Sequence, residues 1–163
     1  MFENLSKLWT AVQENVMFLL VCLLVFVGIF AAAMLLERLW LKPEKQSPAR
    51  RSAYVGIFAA IAAVLMYLEF PLPFAPAFYE IDFSEIPVLI CSFSLGPVAG
   101  VVCEFLKVLL KLFLKGTSTA FVGDLANFVV GCSLILPASA VYFANKTKKG
   151  AVIGMVVGTV CIT

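Results

Sequence analysis

The sequence predicts an all-α integral membrane protein, and three observations carry that prediction. Hydrophobic residues make up 63% of the 163-residue chain before glycine is counted, and charged residues 13%. An ordinary soluble domain holds about 45–50% apolar residues with glycine included and about 25% charged ones. Mean hydropathy is +1.04. The apolar residues also come in long runs divided by short polar stretches. Residues 16–36 carry no charge over 21 positions, close to the ~20 residues a helix needs to cross a hydrocarbon core. Too few polar side chains remain to cover a soluble globule, and backbone groups in lipid are satisfied within helices. A soluble enzyme, a disordered chain and a nucleic-acid binder are excluded, and the lipid bilayer is the first expected partner.

The first helix is expected at about 15–36. It is not a signal peptide, because its apolar core is too long and its start, with Glu3, Lys7 and Glu14, is not basic. Glu37-Arg38 and a basic linker with Lys42, Lys45, Arg50 and Arg51 follow as a stop-transfer flank. The second helix is expected at about 53–69. A loop follows, FPLPFAPAFYEIDFSEIP, rich in proline and aromatic residues and acidic without a single base. The third helix, about 86–96, is short and ends at a Gly96-Pro97 turn. The fourth covers about 98–114 and the fifth about 121–144. After NKTKKG a last apolar run, 151–163, is 13 residues long, rising about 20 Å as a helix, short of the ~30 Å core. It reads as a helix cut off part-way, so the C-terminus is expected to be incomplete.

Lysine and arginine counts in short loops set orientation. The linker and the Lys146–Lys149 turn are basic and expected in the cytoplasm. The loop from Glu69 to Glu85, with four acids and no base, is expected outside. A multi-pass protein of the cell membrane results.

Charges within apolar segments are costly and by default mark a pathway or a binding site. Glu104, Lys107 and Lys111, at i, i+3 and i+7, share one helical face. Lys111 and Lys115 are equally well placed to snorkel to the interface, whereas Lys107 lies nearer mid-membrane. Asp124 and Asn127 fall at i and i+3 near the start of the fifth helix, where Ser118 or Thr119 can cap it. Asp124 either complements the helix N-terminus or faces a ligand. Asn127 offers the donor and acceptor that a planar heterocycle wants. The stiff loop carrying Phe74, Phe78 and Tyr79 reads either as a lid over a flat ligand or as an interfacial aromatic belt. Ala59-x-x-x-Ala63 allows a partner helix to approach closely. The chain lacks histidine altogether, which removes His-based triads and most catalytic zinc sites. All five cysteines lie in apolar runs as small hydrophobes. No phosphate-binding loop is present. An enzyme is not expected, nor a bound cofactor or metal.

Several strings in order resemble one family: Leu68-Glu69-Phe70-Pro71-Leu72-Pro73-Phe74, Ile81-Asp82-Phe83-Ser84-Glu85-Ile86-Pro87, Leu95-Gly96-Pro97, Glu104-Phe105-Leu106-Lys107 and Val122-Gly123-Asp124-Leu125-Ala126-Asn127-Phe128. Across 53–145 the chain is similar to substrate-binding S-components of energy-coupling factor (ECF) vitamin transporters, and among them to the riboflavin-specific members. The resemblance implies a six-helix bundle that takes up riboflavin or a related flavin as transported ligand. Its implied partners are a transmembrane coupling subunit and two ATPase subunits, whose ATP hydrolysis drives uptake. It implies that Asn127, Asp124 and Lys107 face the ligand, with Glu85, Phe74, Phe78 and Tyr79 beside them. It also implies that Ala59 and Ala63 meet the coupling subunit. An S-component for another vitamin and a self-contained secondary transporter using Glu104–Lys107 as an ion relay are the alternatives. Residues 1–51 then form an extra helix and linker, residues 52–163 the S-component domain, and the family's sixth helix is missing.

Overall fold

A computed structural model describes residues 16–38, 47–68, 70–71, 80–81, 83–115 and 122–162. The described residues form six helices: α1 (Val16–Leu36), α2 (Pro48–Tyr67), α3 (Glu85–Leu95), α4 (Pro97–Lys115), α5 (Val122–Ala144) and α6 (Lys148–Ile162). Their bounds lie within a few residues of those expected. An addition to the all-α expectation is a minimal antiparallel ladder, β1 (Phe70–Pro71) with β2 (Glu80–Ile81), pairing Phe70 with Ile81 and Pro71 with Glu80. It ties together the two ends of the proline-rich loop.

Local chemistry sets the breaks. Pro48 occupies the first turn of α2, where a missing N–H costs nothing. Between α3 and α4 the chain turns on Gly96 at φ 102°, a conformation glycine adopts freely and other residues do not. Its N–H donates back to the Ser92 carbonyl at 2.8 Å, closing α3, and Pro97 opens α4 at once. At α6 the Gly150 N–H donates to Thr147 Oγ1 at 3.1 Å, a side-chain cap.

α2, α3, α4 and α5 share the central core, in which Ala59, Ala62, Val88, Cys91, Ala99 and Ile135 are buried together. α6 lies along α5 at very short range. A Cβ on Gly154 would stand 2.6 Å from the Ala138 carbonyl oxygen, and one on Gly158 2.7 Å from that of Leu134. The pair Gly154-x-x-x-Gly158 lets the two backbones touch, as small residues do between membrane helices.

α1 also belongs to the bundle. It packs on α4 and α5, where Phe26 joins Phe105 and Phe128 with ring centroids 4.2 and 5.6 Å away. At its end, Glu37 Oε2 accepts from the Val98 N–H at 3.3 Å while Glu37 Oε1 pairs with Arg51 Nη2 at 3.1 Å. One carboxylate thus caps α4 and ties α1 to α2. Glu37→Ala leaves the first-turn donor of α4 without its cap, at a cost of about 0.5–2 kcal/mol. A lowered melting temperature of the detergent-solubilised protein checks this, and Arg38→Ala, at an exposed neighbour, is the matched control.

The outer surface inverts the pattern of a soluble protein. Met17 is 84% exposed, Leu24 70% and Val160 69%, while buried lysine and glutamate lie inside. α2 and α5 are long and apolar enough to cross a bilayer.

Candidate functional site

The site grows out of α4. Its ionisable residues share a face as their spacing predicts, and the fold brings carboxylates from α3 and α5 to that face. Lys107 Nζ lies 2.6 Å from Glu85 Oε1 and 2.8 Å from Glu104 Oε1. Lys111 Nζ lies 3.1 Å from Asp124 Oδ1. Lys107 and Glu104 are fully buried, Asp124 nearly so, and Glu85 and Lys111 are partly exposed. Two carboxylates therefore share Lys107 and one pairs with Lys111, so the face carries three carboxylates to two ammonium groups, one formal negative charge in excess. A buried lysine with no partner would lose its proton or unfold the site. Two close carboxylates hold it as an ammonium.

Packing fixes this geometry. Gly131 of α5 faces the Glu104 side chain so closely that a Cβ would sit 2.5 Å from Oε1. The missing side chain is the space that Glu104 fills. Glu85 is the first residue of α3 and follows the proline-rich loop directly. Its bond to Lys107 anchors the end of that loop to the middle of the bundle. Gly131→Ala places a methyl group against a buried carboxylate and costs about 1–3 kcal/mol. A thermal shift of that size checks the contact, and Val130→Ala, at an exposed neighbour, separates it from a general loss of packing.

Beside the cluster, α1, α4 and α5 line a half-open cavity of about 190 Å³. Among the described residues its wall is apolar apart from Asp124, with Phe26, Phe105 and Phe128 as aromatic faces.

The sequence-derived candidates are distributed as follows. Lys107 and Glu85 are in direct contact. Asp124 pairs separately with Lys111, about one turn further along α4, and also borders the cavity. Asn127 is half-buried almost one turn further along α5. Phe74, Phe78 and Tyr79 lie outside the described residues, as do the expected caps Ser118 and Thr119. Ala59 and Ala63 face the interior of this chain, at 1% and 3% exposure. Small residues that α2 turns outward include Ala53, Gly56 and Ala60. Sequence reasoning missed the Glu37 latch, the Gly154–Gly158 seam and the role of α1 in the bundle. For the seam the signal was the four-residue glycine repeat, and for Glu37 an acid set against arginines at a helix end.

Residues 50–163 match the family model described as ECF transporter, substrate-specific component. The riboflavin transporter RibU of Staphylococcus aureus (strain TCH60) is 38% identical over 112 residues, covering 68% of this chain and 58% of that protein. The riboflavin transporter FmnP of Bacillus subtilis (strain 168) is 34% identical over 115 residues, covering 70% and 60%. The chain thus spans about three-fifths of the length of these curated relatives. Among solved structures, the S component of a bacterial ECF transporter is similar with a TM-score of 0.65 and 34% identity, over 71% of this chain and 68% of that one.

Proposed function

The chain belongs to the family of ECF transporter substrate-specific components, and from that premise we propose that it is the membrane subunit that captures riboflavin or a related flavin for uptake. It is a membrane protein of a transporter family, not an enzyme. The observation that carries the flavin reading is the 34–38% identity to proteins named as riboflavin transporters, and the family-model match over residues 50–163 holds Glu85, Lys107, Asp124 and Asn127. In this reading the protein spans the cell membrane several times, with the proline-rich loop outside. Asp124 and Asn127 meet the polar edge of the ligand. Phe74, Phe78 and Tyr79 of the loop close over it. Lys107, held by two carboxylates, keeps the Glu85 end of that loop in place.

Uptake is driven by ATP hydrolysis in two partner subunits, through a transmembrane coupling subunit. Ala59 and Ala63 serve by letting α2 lie close to its own neighbours, so that the outward Gly56 and Ala60 come within reach of a coupling helix. The buried surplus of carboxylate over lysine favours one second reading, a self-contained secondary transporter that relays an ion or proton.

Radiolabelled riboflavin uptake in a flavin-uptake-deficient host separates the two. Accumulation that requires co-expressed coupling and ATPase subunits supports the proposal. Accumulation without them supports the secondary transporter, and uptake of a different vitamin alone replaces the substrate. Asn127→Ala is expected to raise the dissociation constant for riboflavin about tenfold, the worth of one or two lost hydrogen bonds. Equilibrium titration of the purified variant checks it.

A further inference from the structure

We propose that α1 forms one wall of the ligand site, with Cys22 and Phe26 in contact with the flat ring system of the bound flavin. The inference rests on the flavin reading above and extends it to a helix outside residues 50–163, the part of the chain that matches the family model. α1 is built into the bundle. The Phe26 ring sits over both Phe105 and Phe128, which stand edge to face with centroids 6.3 Å apart. Glu37 locks the far end of the helix to Val98 and Arg51. Antiparallel packing against α4 then carries Cys22 to the end of the bundle where Lys111 and Asp124 meet. Cys22 and Phe26, one turn apart, face the 190 Å³ cavity that Asp124 also borders.

The chemistry of this cavity selects its occupant. Three phenyl rings and aliphatic side chains offer a surface for a fused aromatic ring, favouring offset or edge-on contact. The single carboxylate, paired with Lys111 at 3.1 Å, offers polar partners at one border. A ring system with an apolar benzenoid edge and a polar heterocyclic edge matches both. Leu24, which is 70% exposed, points away from the cavity and gives a control on the same helix.

The test uses the full chain in detergent with Cys161→Ser, which removes the other accessible thiol. Cys91, Cys103 and Cys132 are at most 1% exposed. Labelling of Cys22 by a small maleimide is timed with and without saturating riboflavin, while quenching of riboflavin fluorescence reports binding independently. The expected result is a labelling rate at least several-fold slower with flavin. Phe26→Ala is expected to raise the dissociation constant about tenfold, the worth of one lost aromatic contact and its burial, with Leu24→Ala unchanged. Saturable quenching with an unchanged Cys22 rate and an unchanged Phe26→Ala affinity overturns the role of α1 and leaves the flavin reading standing. Absence of quenching overturns the flavin reading, and this inference with it.

Discussion

Lys107→Met is expected to destabilise the protein by about 3–5 kcal/mol, the cost of removing one partner from a buried ion pair. The substitution removes the ammonium that Glu85 and Glu104 both face, the latter fully buried. Methionine fills most of the lysine volume, so the loss reports charge and not a cavity. The compensated variant makes the argument specific. Adding Glu85→Leu and Glu104→Leu removes the charges that Lys107 neutralises and is expected to restore most of the stability, because a buried ion pair replaced by apolar groups of similar volume is close to neutral. Thermal melting of the three proteins in one detergent checks it. Equal melting of Lys107→Met and the parent would mean that the 2.6 and 2.8 Å contacts carry no net weight.

Gly154→Leu is expected to force α6 away from α5. The obstacle is a backbone oxygen, the Ala138 carbonyl, 2.6 Å from where the new Cβ would stand, and it cannot swing aside as a side chain would. Overpacking of this kind costs about 1–3 kcal/mol, occasionally more, and a leucine at the seam stands at the upper end. Faster limited proteolysis in the 145–147 turn and a lower melting temperature are the readouts. Val156→Leu, on the exposed side of the same helix, is expected to change neither.

These two predictions mark where the sequence was readable and where it was not. The helices were readable because lipid allows few alternatives. An apolar run in a bilayer becomes a helix, and proline and glycine show where it stops, as at Pro48 and Gly96. The shared face of Glu104, Lys107 and Lys111 followed from helical spacing. Their partners did not. Glu85 is 22 positions from Lys107, and no local pattern says which acid a buried lysine meets. The direction of α2 was equally hidden. Small residues on a helix announce a close neighbour without saying whether it belongs to the same chain, and here Ala59 and Ala63 serve the chain's own core. The loop composition concealed a strand pair, since Pro71 can accept but not donate in a ladder. α1 read only as an extra helix in front of the domain because its uniform hydrophobicity has no preferred face. Only the fold shows that Phe26 meets Phe105 and Phe128.

The central claim, that this family member captures a flavin, is tested most directly by titrating riboflavin with the purified full-length protein and following fluorescence quenching. Saturable quenching with one flavin per chain is expected, weakened in Asn127→Ala and Phe26→Ala. A folded, monodisperse protein that leaves riboflavin fluorescence unchanged from the detergent blank would contradict it.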